Sequence, residues 1–239
     1  WESSPEFPLE AARKAAKNGL LGLYCPEEFG GQALSFEEAI HVFEELVKWE
    51  GLYAFSLSMH NIVTFAICSF GQKELREEWA SRLISGESLG GFVLTEAQSG
   101  SDAAGVTTRA VINEDGSYTI DGSKAWVSLA DVADIYLVVV NTSRESGKDG
   151  IAMIAVPKDA AGVSFGKPYE KLVSRFLPIA DMYFDSVTVP GSNLIFPPGK
   201  GLSGSLMAID IARTCISAGC CGLISSSLDL ALTYARDRQ

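Results

Sequence analysis

The sequence has few of the side chains on which metal centres and hydrolytic sites are built. Its two histidines, His41 and His60, lie outside any metal-ligand spacing, so we predict a structural role for each and no bound metal. No G-x-S-x-G elbow, Walker loop or G-x-G-x-x-G fingerprint occurs in the 239 residues. A zinc enzyme, a serine hydrolase and nicotinamide binding on a Rossmann domain therefore have no support in this sequence.

Cysteine and basic residues are also scarce. The five cysteines are odd in number and include no C-x-x-C, which indicates reduced thiols in an intracellular protein. Acidic residues number 30 against 19 lysines and arginines, and the net charge is −11. Such a surface repels phosphate backbones and anionic membranes, so we expect neither nucleic acid binding nor membrane insertion. Trp1 opens the sequence in place of a methionine, so targeting cannot be read from this end.

Residues 1–89 are predicted to form an all-α domain. A capping box of Ser35 and Glu38 opens a helix that runs to Glu50. The most apolar stretch, Leu52–Phe70, contains polar residues and falls short of the roughly 20 apolar residues that span a membrane. We predict it to be the buried central helix of this domain.

Residues 90–197 show the period-two pattern of β-strands. Asp121-Gly122 is a strong turn signal and predicts a hairpin between Tyr118–Ile120 and Ser123–Val127. Because no helix of crossover length separates the strands, we expect an antiparallel β-barrel or sandwich.

Residues 198–239 are helical again, with Leu206–Arg236 as one long pattern. The small residues Gly219 and Gly222 within it predict a close contact with another helix. A single helix cannot bury its own apolar face, so we expect this segment to be the first helix of a truncated C-terminal four-helix bundle. The predicted fold class is α+β multidomain, with a helical, a β and a second helical domain.

Three segments combine side chains suited to chemistry, and each has a structural alternative. In Phe92–Asp102 a strand ends in a loop of small residues whose N–H groups can bind an anion, or which is only a polar turn. On a regular strand Lys124, Trp126 and Ser128 share one face, which suits a flat heteroaromatic ring, although a core tryptophan is the alternative. In the long helix, Asp210 can pair with Arg213 three residues later, and a solvated salt bridge is the alternative.

In this order and spacing, the segments resemble the acyl-CoA dehydrogenase family over essentially the whole chain. The resemblance implies an enzyme that oxidises an acyl-CoA thioester to the 2-enoyl-CoA, passing electrons from FAD to an electron-transfer flavoprotein. The same fold also allows an oxidase, enoyl-CoA reduction, base-free elimination such as desulfination, or a non-catalytic binding protein. A homodimer or dimer of dimers in the bacterial cytoplasm or mitochondrial matrix is implied as well. The motifs that carry the resemblance are Pro26–Gly31, Gly71-Gln72, Ser85–Glu87, Leu94–Glu96, Gly100–Asp102, Gly122–Ser128, Phe184–Pro190, Asp210 with Arg213, and Tyr234–Gln239.

The resemblance also assigns roles to single residues. Acyl-CoA contacts are implied for Ser101, Asp210 and Arg213, and pocket positions on the central helix are candidates at Tyr53, Phe55, Ser58 and Met59. Arg238 is implied to reach FAD across a subunit interface. The full set of implied FAD-binding residues is Phe92, Val93, Leu94, Thr95, Gly100, Ser101, Trp126, Val127, Ser128 and Arg238.

The sequence departs from the family pattern in three places, and the first is the family segment P-x-A-G-S-D, which reads Ala97–Asp102 here. The general base of most members lies in the final helices, which would follow Gln239, and the alternative position holds Ala212, which cannot accept a proton. No catalytic residue is therefore assigned within the chain. The family segment G-x-R-x-S-x-T reads Val173–Ile179 here and lacks both hydroxyls, which puts cofactor or substrate contacts at that segment in doubt.

Overall fold

The computed structural model describes residues 6–238, so Gln239 of the last motif lies outside the described residues. The α-helices are α1 (Leu9–Lys17), α2 (Phe36–Phe70), α3 (Lys73–Ile84) and α4 (Gly201–Asp237). The strands are β1 (Gly90–Val93), β2 (Arg109–Ile112), β3 (Tyr118–Ser128), β4 (Ile135–Asn141), β5 (Ile151–Pro157), β6 (Val163–Phe165), β7 (Ile179–Val189) and β8 (Leu194–Phe196).

The long helix α2 consists of two arms that meet at Glu50. Its capping box is formed as predicted, because the Ser35 side chain accepts from the Glu38 N–H and the Glu38 carboxylate accepts from the Ser35 N–H. Glu50 has a non-helical backbone, with φ −156° and ψ 94°, and breaks the helix. The two predicted helices are therefore confirmed as the arms of one kinked helix.

Two helices, α2 and α4, are long and apolar enough to cross a membrane by length and composition alone. The most apolar window of α2 is 67% buried inside the protein, as in the core helix of a globular domain. The corresponding window of α4 is 22% buried, and apolar side chains from Ile216 to Tyr234 are exposed along it. The bundle expected to cover α4 stays a prediction.

The sheet has the strand order β6-β7-β3-β2-β4-β5-β8, and β1 pairs with β4. Most neighbours are antiparallel, which confirms the predicted class, but β1 and β2 both pair with β4 in parallel. The purely antiparallel arrangement was therefore wrong at these two pairings. The predicted domain boundaries at 89/90 and 197/198 fall in the connections before β1 and α4 and stay predictions.

The predicted hairpin at Asp121-Gly122 is wrong, since β3 runs without a break through both residues. Gly122 has φ +143°, and a Cβ there would lie 2.9 Å from Thr108 Cα. The glycine therefore permits β3 and the segment before β2 to approach closely. The Asp121 carboxylate accepts from the N–H of Ser186 on β7 at 2.8 Å. The turn-like pair therefore lies within a long strand, where Asp121 faces two residues of a bulge in β7.

The small residues of α4 contact α2, as predicted. Gly219 and Gly222 are buried, and a Cβ on Gly222 would overlap the carbonyl oxygen of Glu44. The two long helices therefore pack with their backbones close together. Helix α2 also packs against β1. This arrangement places the helix pair beside the edge of the sheet that carries the candidate site residues.

Candidate functional site

A β-bulge at residues 125 and 126 of β3 turns Trp126 outward, whereas Lys124 just before it points inward. Lys124 pairs with Met182 and Val127 with Ala180, so two residues of β3 face one residue of β7. Trp126 has φ +59°, a strained backbone for a bulky residue, and its side chain is 60% exposed. Ser128 lies two residues on and is half-buried.

The expectation that Lys124, Trp126 and Ser128 share one face was therefore wrong for Lys124. The extra residue of the bulge resets the alternation, because a strand side chain changes face at every position. The alternative of a core tryptophan is contradicted by the exposure of Trp126. Its indole stacks on the ring of Tyr169, with centroids 4.3 Å apart and planes tilted by 24°.

Lys124 and Glu96 form a buried ion pair that sequence reasoning did not identify. Lys124 Nζ lies 2.8 Å from Glu96 Oε1 and donates to the Leu94 carbonyl at 3.0 Å, and both side chains are almost completely buried. Burial lowers the pKa of Lys124 to about 8, although the charge of Glu96 opposes this shift. Burial alone would raise the pKa of Glu96, but attraction to Lys124 and hydrogen bonds from two threonines lower it to about 2.

The Glu96 carboxylate is bonded to both ends of the loop that it begins. Its Oε2 accepts from the N–H and hydroxyl of Thr107 and from Gln98, and its Oε1 accepts from the Thr108 N–H at 2.9 Å. The backbone of Glu96 also closes a tight turn with Ser99 through bonds of 2.9 and 3.0 Å. A carboxylate with this many donors stays ionised and fixes the loop.

The structure brings the loop and the bulge together. The Ala125 N–H, directly before Trp126, donates to the Thr95 carbonyl at 2.9 Å. Gly100 and Ser101 are exposed at the loop tip, and a Cβ on Gly100 would meet no atom within 4 Å. The turn alternative therefore holds for Glu96–Ser99, while Gly100 and Ser101 leave open space for a ligand beside it.

Several predicted cofactor contacts can involve only the main chain. The side chains of Val93, Leu94 and Val127 are buried in the protein core, and Phe92 is half-buried. Of the predicted set in the β region, Trp126, Ser128, Gly100 and Ser101 present surface, and Thr95 is half-buried. An exposed indole with hydroxyl groups on its own strand and on the adjoining loop suits a flat ring that carries hydrogen-bonding edges.

Two apolar cavities lie along the contact of α2 and α4 and share Cys215. The smaller, of about 240 Å³, is lined by Phe55 and Ser58 among others, whereas Tyr53 and Met59 lie outside its lining. The larger, of about 510 Å³, reaches Asp210. The Tyr24 hydroxyl lies 3.2 Å from the Cys215 Sγ, and burial raises the pKa of Tyr24 far above its usual range.

The predicted pair on α4 is formed but solvated. Arg213 Nη1 lies 3.6 Å from Asp210 Oδ1, and both side chains are 74% exposed. Asp210 lines the larger cavity, whereas Arg213 lies outside its lining. Ala212 is half-buried, and Arg238 is exposed just after the last turn of α4.

Two family models match the chain: the acyl-CoA dehydrogenase N-terminal domain at residues 1–87 and the acyl-CoA dehydrogenase middle domain at residues 91–187. Isobutyryl-CoA dehydrogenase, mitochondrial, from Dictyostelium discoideum is 35% identical over 99% of this chain and 56% of its own length. Acryloyl-CoA reductase (NADH) from Anaerotignum propionicum is 34% identical over 97% of this chain and 59% of its own length.

A solved structure gives the same result for the fold. A glutaryl-CoA dehydrogenase from Mycobacterium smegmatis in complex with FADH2 superimposes with a TM-score of 0.89 at 28% identity, covering 98% of this chain and 59% of that one. The chain thus spans less than two thirds of the length of these relatives. With both models and the β-domain geometry in agreement, the chain belongs to the acyl-CoA dehydrogenase family.

Proposed function

We propose that the whole protein is an FAD-dependent acyl-CoA dehydrogenase that converts a saturated acyl-CoA thioester to the 2-enoyl-CoA. The observation that carries this proposal is the exposed, bulged Trp126 beside Ser128, joined through Ala125 to Thr95. A large aromatic ring left exposed at a strained bulge needs a reason outside folding, since burying it would stabilise the protein by about 2 kcal/mol.

The residues at this surface fit a bound flavin. The indole offers a flat contact, Ser128 a hydroxyl, and Thr95 a main-chain position next to the bulge. Gly100 and Ser101 leave space and a hydroxyl at the loop tip for the phosphate part of the cofactor. When bound, the flavin supplies the acceptor for the hydride that leaves the substrate.

The acyl group would lie in the apolar cavities between α2 and α4. Both cavities are lined mainly by apolar side chains, and Asp210 stands at the larger one, where the polar CoA arm would enter. Arg213 pairs with Asp210 and would be available to the CoA phosphates. Ala212 stands at one of the two positions where the family carries its base and has no basic group, so the proton acceptor of the whole protein would belong to the final helices of the family fold.

The remaining assignments follow from the family. The electron acceptor would be an electron-transfer flavoprotein, and the assembly a homodimer or dimer of dimers in which Arg238 reaches the neighbouring flavin. The location would be the bacterial cytoplasm or the mitochondrial matrix.

The test is an anaerobic absorbance titration of the purified whole protein with a panel of straight, branched and dicarboxylic acyl-CoA esters. We expect a yellow protein whose flavin band is bleached by at least one saturated ester, and the most effective ester gives the substrate class. A colourless protein that does not take up FAD would contradict the proposal and favour a binding protein.

A second candidate is reduction of an enoyl-CoA. The relative named acryloyl-CoA reductase and the loss of two hydroxyls at Leu177 and Ile179 favour it. In the same titration, a dithionite-reduced protein that is reoxidised by a 2-enoyl-CoA, with no bleaching of the oxidised form by any saturated ester, would select this reaction.

A further inference from the structure

We infer that the buried Glu96–Lys124 ion pair is the positioning element of the flavin site, holding the 94–101 segment and the Trp126 bulge at one fixed separation. The inference rests on the proposed function, because it concerns flavin binding. Neither residue touches the proposed flavin surface, so both are positioning residues.

The pair joins the two segments at their closest point. Lys124 Nζ bonds Leu94 O at 3.0 Å and Glu96 Oε1 at 2.8 Å, and the next peptide along β3 bonds Thr95 O. Three consecutive residues of one segment are thus tied to two consecutive residues of the other. A shift of either segment would break a buried charge-assisted hydrogen bond.

The bulge places Lys124 and Trp126 on opposite sides of β3. Lys124 keeps the inward alternation of Tyr118 and Ile120, and a regular strand would place Trp126 on that inward side as well. The extra residue turns the indole outward, while Lys124 anchors the strand from the buried side. The orientation of Trp126 is therefore linked to the buried ion pair through the two peptides between residues 124 and 126.

Glu96 extends the coupling to the loop tip. Its carboxylate holds the start of β2 through Thr107 and Thr108, and its backbone closes the turn that leads to Gly100 and Ser101. The Glu96 carboxylate therefore fixes the position of both the proposed phosphate contacts and the proposed ring contacts. A charged pair gives this geometry more directional constraint than apolar packing at the same place would.

The test compares FAD binding and folding in the whole protein for Glu96→Gln, Lys124→Met and the double variant. We expect each single variant to raise the Kd for FAD about tenfold and to change the visible circular dichroism of the bound flavin. In the double variant no uncompensated charge remains, so the thermal midpoint of the apoprotein should recover relative to Lys124→Met. The Kd for FAD and the dichroism of the double variant should not recover. If the pair had a purely structural role, the double variant would recover the thermal midpoint, the Kd and the dichroism together.

A milder variant covers the case in which the single variants fail to fold. Thr107→Val removes one exposed hydroxyl that donates to Glu96 at 2.7 Å, and we expect a Kd about threefold higher with folding retained. The matched control is Asn193→Ala, which removes a buried bond of 2.8 Å to the Ala155 carbonyl at the opposite side of the sheet. It should lower the thermal midpoint and leave the Kd unchanged.

The outcomes separate this inference from the proposed function. If the wild-type protein binds FAD and folded Glu96→Gln or Thr107→Val binds it with unchanged Kd and dichroism, the positioning role is overturned and the flavin site stands. If the wild-type protein binds no FAD, the proposed function fails and this inference fails with it.

Discussion

The Nδ1 atom of His60 accepts a hydrogen bond from the backbone N–H of Gly90 at 3.1 Å, which joins α2 to β1. The Nε2 atom faces the Leu83 carbonyl at 3.2 Å and the Thr64 hydroxyl at 3.1 Å. These contacts assign the neutral ring with its proton on Nε2. The predicted structural role of this histidine is thereby confirmed.

Acid should destabilise the protein through His60. Burial lowers the pKa of the imidazole from 6.5 to about 4, so the folded protein resists a proton that the unfolded chain binds. Stability is therefore full above pH 6.5 and is lost as the pH falls towards 4, by on the order of 3 kcal/mol. In His60→Gln, which cannot titrate, this component should vanish. Thermal unfolding between pH 4 and 7.5 measures it, and parallel curves for the two proteins would contradict the prediction.

Substitution of two glycines should distinguish a glycine needed for helix packing from a glycine that leaves space for a ligand. Gly222→Ala places a methyl group on the Glu44 carbonyl, and we expect a loss of about 1–3 kcal/mol in the free energy of unfolding. Gly100→Ala meets no atom within 4 Å and should leave that stability unchanged while weakening FAD binding. Chemical denaturation and flavin titration of both variants measure the two effects. Equal stability of the two variants would show that α2 and α4 are not in close contact.

Tyr169 should support the indole of Trp126 from one side. Its hydroxyl donates to the Asp181 carboxylate, opposite the bulge, which holds the phenol ring in place. We expect Tyr169→Leu to raise the Kd for FAD about threefold to tenfold, because a stacked aromatic pair is worth about 0.5–1.5 kcal/mol. Tyr169→Phe keeps the ring and is the control, and its Kd should stay within about twofold of the wild type. If Tyr169→Phe raised the Kd for FAD as much as Tyr169→Leu does, the hydroxyl would be the important group and the stacking role would be contradicted.

The smaller cavity should limit acyl length. Cys220 lines it and is exposed, so the phenyl ring of Cys220→Phe fills part of the cavity without overpacking the core. We expect kcat/KM for the longest accepted ester to fall about tenfold and that for the shortest to change little. Ser217→Phe, on the same helix but outside the cavity lining, is the matched control. A uniform loss over all esters would place the acyl chain elsewhere.

Sequence patterns alone determined the helical segments, the capping box at Ser35, the β character of the middle region, and the family. These features depend on residues within a few positions of each other, where periodicity and capping chemistry act. The contact of Gly219 and Gly222 with α2 could also be predicted, because a glycine inside a long helix lowers its stability unless a second backbone packs closely against it.

Only the tertiary structure decided how the candidate site is arranged. The bulge at Trp126 depends on the register of β3 against β7, and the ion pair joins Glu96 to a lysine 28 residues away. A local pattern contains neither relationship, so regular alternation placed Lys124 and Trp126 on one face, and a turn signal placed a hairpin at Asp121-Gly122. Glu96, just after the apolar strand β1, and Lys124, within β3, were the one available signal. Pairing between distant strands is set by the whole sheet, whereas propensity acts within each segment.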